Sequence, residues 1–104
     1  MTTFDSRENA FEAKFAHDAD ELFRLHARRD KLLGHWAAVK LGLAGAAAEA
    51  YTAALIETDV AAAGDATVVK QLIADLAPHG VSADAVHAAV ADCLVKAAQQ
   101  LGTI

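Results

Sequence analysis

The sequence is poor in cysteine, proline and β-branched residues, and no apolar run in it approaches the roughly 20 residues of a membrane span. Each shortage excludes something. The lone cysteine, Cys93, cannot build an internal disulfide framework and fits a reducing compartment. β-Branched residues never alternate with polar ones over a strand's length, so nothing signals a sheet. No basic-then-apolar leader opens the chain, and a cytoplasmic protein without direct membrane insertion is expected. A net charge of −5 speaks against nucleic acid as a partner, because binders of nucleic acid carry a basic face. Catalytic signatures are missing too. The chain has no Gly-rich phosphate loop, no notable pair of carboxylates and no Ser/His/Asp pattern, so it does not read as an enzyme.

What is present points one way. Alanine, the best helix former, makes up about a quarter of the 104 residues, a length suited to one modest domain. An all-α fold follows. Alternating steps of four and three from Phe4 visit Glu8, Phe11, Phe15, Asp18, Leu22, Leu25, Arg29, Leu32, Trp36, Val39 and Leu43, a heptad seam broken only by Glu8, Asp18 and Arg29. Gly42 and Gly45 supply its stop signals. A second helix is expected over about 46–63, facing inward with Tyr51, Leu55 and Ala62, with Ile56 and Val60 beside them, and ended by Gly64. The third begins with Asp65 as N-cap, buries Val68, Val69, Leu72, Ile73 and Leu76, and stops at Pro78–Gly80. The fourth starts at Ser82 and turns Val86, Val90, Cys93, Leu94, Ala97 and Leu101 inward. Short connections make neighbours antiparallel, giving a four-helix bundle over residues 19–104.

The first helix is too long for that bundle. At 1.5 Å per residue a helix over 4–41 spans roughly 57 Å, about twice the second or fourth. Its N-terminal part must therefore project, fold back or stay disordered when the protein is free, and residues 1–18 are read as a mobile segment. All four phenylalanines fall within the first 23 residues, three of them in that segment. Leaving each exposed forgoes about 1.5–3 kcal/mol of burial. An amphipathic helix without a groove of its own has the form of a helix-in-groove ligand. The competing readings are a fold-back over the bundle and a dimer seam.

Charge is unevenly spread. Residues 22–43 carry Arg24, Arg28, Arg29, Lys31 and Lys40 against Asp30 alone, while the flanking segments are acidic. Complementarity between packed helices is the first explanation.

The residues FDSRENAFEAKFAHD, ARRDKLLGHWAA, KLGL, AEAY and AGDATVVKQLIADLA closely resemble the ζ subunit of alphaproteobacterial F-type ATP synthases, a family formerly labelled a domain of unknown function. The resemblance implies an inhibitor of ATP hydrolysis whose N-terminal segment becomes helical on insertion between an α and a β subunit of the catalytic head. There it also reaches the central-stalk γ subunit, with the bundle anchoring it outside. It implies that Phe4, Asp5, Arg7, Glu8, Phe11, Glu12, Lys14 and Phe15 form the inhibitory segment, aromatics as anchors and charges setting register. Arg24, Arg28, Arg29 and Lys31 match the next block, as secondary contacts or phosphate partners. The chain departs from the family pattern at Ser6 and Asn9. A free monomer with no required cofactor is expected. Weak ATP or ADP binding is the alternative role, with the basic run on the phosphates and Trp36 or Tyr51 under the base; a self-associating helical protein is the other.

The histidines do not add a metal site by spacing. His17, His26 and His35 are nine residues apart, so neighbours lie on opposite faces and roughly 13.5 Å apart along a helix. Cys93 reads as a buried structural thiol and Trp36 as a core anchor.

Overall fold

The computed structural model describes residues 19–61 and 65–102, so the expectations for residues 1–18 lie outside the described residues. Among the described residues four α-helices follow one another: α1, Ala19–Lys40; α2, Gly45–Ala61; α3, Ala66–Leu76; and α4, Ala83–Gln100, with a 3₁₀ turn, Ala77–His79, between the last two. No strand occurs among the described residues. The all-α bundle expected from composition is the observed fold. From Ala19 onward α1 has 22 residues against 17 in α2 and 18 in α4, so this part of the first helix is commensurate with its partners.

Each boundary has a local cause. Gly42 adopts φ +76° after α1, its N–H donating to the Val39 carbonyl while Leu43 N–H reaches back to Ala38, which satisfies carbonyls that the helix end would orphan. Pro78 cannot donate a backbone hydrogen bond, so α3 tightens into the 3₁₀ turn, and Gly80 at φ +78° reverses the chain. Ser82 caps α4 as expected, its Oγ accepting from Ala85 N–H at 3.1 Å. Asp65 stands at the N-cap of α3 as expected, but its side chain makes no capping hydrogen bond. Its carboxylate is engaged elsewhere.

The core has two parts. Leu33 and Ala37 of α1, Leu55 of α2, Val68, Leu72 and Leu76 of α3, and Val86, Ala89, Val90 and Cys93 of α4 form the larger one. Leu25 packs with Leu94, Ala97 and Ala98 in a second cluster between the first half of α1 and the end of α4. The heptad seam holds at Leu25 and Arg29, then slips. Leu32 and Trp36 are only partly buried, Leu33 and Ala37 are fully buried, and Val39 is 75% exposed. A straight helix drifts about 20° per heptad from a 3.5-residue repeat, roughly 60° over the length of α1, which turns the inward face from Leu32 and Trp36 toward Leu33 and Ala37. Val60 is likewise exposed rather than beside the inward face of α2, and α2 ends at Ala61.

One contact sets how closely α1 and α2 approach. A Cβ added to Gly34 would lie 2.8 Å from the Thr52 side chain and 2.9 Å from Thr52 Cα. Thr52 is buried there, and its hydroxyl is satisfied by donating to the Ala48 carbonyl at 2.9 Å.

Candidate functional site

Helix α1 carries the basic candidates and Trp36, with Tyr51 on α2, and the basic ones lie on two stripes about 100° apart. Arg24, Arg28 and Lys31, at spacings of four and three, are exposed on one face. Arg28 Nη1 donates to Gln100 Oε1 of α4 at 3.3 Å, which holds it against the bundle's end. These three present a basic strip to solvent on a chain that is otherwise acidic.

Arg29 belongs to the inward stripe and has no accessible surface. That corrects its assignment as a secondary contact or phosphate partner. Its guanidinium is fully committed within the fold. One edge meets Asp30 Oδ1, at 3.0 Å from Nε and 2.8 Å from Nη2. The other edge forks onto Asp65, with Nη1 and Nη2 each donating at 2.9 Å. Nη2 also donates to Asp59 Oδ2 at 3.3 Å. The planar fork suits bidentate carboxylate recognition, which lysine's point charge does not provide. Here is the complementarity implied by a basic segment between acidic ones, and it explains why Asp65 leaves α3 uncapped.

A ring nitrogen of His26 and oxygens of Asp59 and Asp65 lie within 4.8 Å of one another, all partly buried. Spacing along one helix could not show this approach, because the two carboxylates come from α2 and the residue before α3. The donor types suit a divalent ion, but the setting does not. Both carboxylates already accept from the Arg29 guanidinium, and a cation would have to enter beside that fixed positive charge.

The remaining candidates have structural partners. Trp36 and Tyr51 pack against the larger core, and Tyr51 Oη donates to Asp75 Oδ2 at 2.9 Å. Burial first, then that hydrogen bond, pushes the Tyr51 hydroxyl above the usual phenol range. Cys93 is buried and its thiol is pushed up by burial, the reverse of an activated nucleophile. His35 Nε2 sits 3.2 Å from Glu49 Oε1, a close approach of charge type without hydrogen-bond geometry.

The aromatic and charged positions Phe4 to Phe15 lie outside the described residues, so comparison with known proteins decides the family. A family profile described as ATPase inhibitor subunit zeta matches residues 1–100. The chain belongs to that family. Comparison with curated proteins and with solved structures gives no match. The zeta match takes in the N-terminal segment and the whole bundle together, which the resemblance of FDSRENAFEAKF and ARRDKLLGHW anticipates. An ATPase inhibitor subunit is regulatory rather than catalytic. No helix among the described residues is long and apolar enough to cross a membrane.

Proposed function

We propose that this zeta-family chain restrains ATP hydrolysis by the catalytic head of an F-type ATP synthase, with residues 4–17 entering the cleft between an α and a β subunit and reaching γ. Phe4, Phe11 and Phe15 are the apolar anchors, and Asp5, Arg7, Glu8, Glu12 and Lys14 set register and orientation. The bundle stays outside as the mount. The exposed strip Arg24, Arg28 and Lys31 steers α1 onto acidic surface near the cleft mouth, while Arg29 holds the fold together. The protein acts on the cytoplasmic side, peripheral to the membrane-bound enzyme, and is monomeric when free.

The observation that carries this reading is the family match from residue 1 to residue 100, since one family profile takes in both the Phe-bearing segment and the bundle. ATP hydrolysis by the cognate catalytic head, measured with the full chain and with a chain lacking residues 1–18, is the test. Inhibition by the full chain and none by the truncated one is expected. Equal inhibition by both, or by neither, contradicts it.

A further inference from the structure

The polar cluster on α1 carries more negative charge than its guanidinium can balance. Arg29 faces three carboxylates, and Arg29 and Asp30 are each about 1% exposed by side chain. Water screens little of the charge at Asp30, although it reaches Asp59 and Asp65, at 10% and 26% side-chain exposure. Two features relieve the surplus. Oxygens of Asp30, Asp59 and Asp65 all lie within 3.3 Å of Arg29 Nη2, so the carboxylates crowd one another, and a proton on buried Asp30 removes one of the repelling charges. His26 faces Asp59 and Asp65 from the same helix as Arg29 and can add a second positive charge when protonated.

We propose that Arg29, Asp30, Asp59, Asp65 and His26 form a proton-gated latch that fastens α1 to the α2–α3 junction and loosens as the pH rises above neutrality. Asp30 sits on α1, Asp59 near the end of α2 and Asp65 just before α3, so their convergence on Arg29 Nη2 ties α1 to both of the other elements. From α4 the group facing the cluster is Cys93, with Asp92 and Lys96 exposed beyond it. Burial keeps that thiol protonated, so it adds no charge to the balance. Burial first, then the hydrogen bond from Asp59, pushes the Asp30 carboxyl up to about 8, against the opposing pull of Arg29. The direction of the effect follows. The folded chain keeps a proton that an unfolded chain releases in the ordinary carboxylate range. Its stabilisation is complete below that range and is lost as pH climbs through about 8. The latch is a property of the bundle and does not depend on the inhibitor reading. Because α1 continues from the segment 1–18, opening it would also loosen that segment's mount.

Amide hydrogen exchange on the full chain, at about pH 6 and about pH 8.5 and corrected for intrinsic rates, tests the latch. Protection over residues 26–33 and 57–61 is expected to fall by about tenfold or more at the higher pH, more than over the α4 core at Val86–Val90. Asp30→Asn keeps that position uncharged at every pH and should flatten that difference. Asp59→Asn removes a neighbouring negative charge, should also shrink the difference, and serves if the first variant does not fold. Equal wild-type protection at both pH values, or an equal loss in wild type and a folded variant, overturns the proposal.

Discussion

At the scale of single residues, two side chains that a sequence profile would treat alike behave oppositely. Arg28 and Arg29 are neighbours of the same charge, yet one lies at the surface and the other is sealed among three carboxylates. Replacing Arg29 by Met leaves those carboxylates buried without their cation. The expected loss is about 3–5 kcal/mol, a large share of the roughly 5–15 kcal/mol that holds a small domain folded. Arg24→Ala should stay within about 0.5 kcal/mol of wild type. Urea denaturation of the two variants checks the contrast, and similar midpoints would contradict it. Gly34 gives a second contrast. In an open helix, glycine to alanine gains about 1 kcal/mol, but here the new Cβ meets Thr52 Cα at 2.9 Å. Gly34→Ala should destabilise by about 1–3 kcal/mol, and Thr52→Ala should restore only part, because the backbone contact remains. A raised melting temperature for Gly34→Ala would show that the helices can separate freely.

Elements were legible where the signal was local. The glycine stop after α1, the stop of α3 at Pro78–Gly80 and the start of α4 at Ser82 each depend on residues within one turn of themselves, and each stands where the sequence places it. Ser82→Ala should cost about 0.5–2 kcal/mol in thermal denaturation, and a neutral result would mean the end of α4 is held by packing alone. Asp65 stands at the N-cap where the sequence places it, but its side chain is drawn to Arg29, 36 residues away, a partner no local signal could show. Val39 did mislead. A heptad extrapolated from the phenylalanines keeps strict 3.5-residue phase, whereas α1 against its bundle follows the ordinary helix, so the later inward residues are Leu33 and Ala37. Arg29 did stand out in the sequence as a charge on an apolar seam. Its three acceptors did not, since they converge from α1, α2 and the residue before α3. Gly34 drew no notice, although a lone glycine inside a helical pattern is itself a sign of close backbone approach.

For the whole molecule, the division of labour on α1 organises the account. Its inward stripe builds the bundle, its basic strip faces outward, and its N-terminal continuation carries the phenylalanines that the family match includes. If the strip steers docking, reversing Arg24, Arg28 and Lys31 to Glu should slow association and weaken inhibition, more so at low salt, where charges act over a longer distance. The bundle should remain folded, because none of the three is buried. Inhibition unchanged at low ionic strength would remove the strip from the docking surface.

The central claim is that the segment carrying Phe4, Phe11 and Phe15 acts on the ATPase while the bundle serves as its mount. The direct measurement is ATP hydrolysis by the cognate catalytic head with the full chain and with a chain lacking residues 1–18, paired with the melting temperature of both. The account predicts that truncation abolishes inhibition and leaves melting nearly unchanged. Inhibition that survives truncation, or a truncated chain that no longer folds, would contradict it.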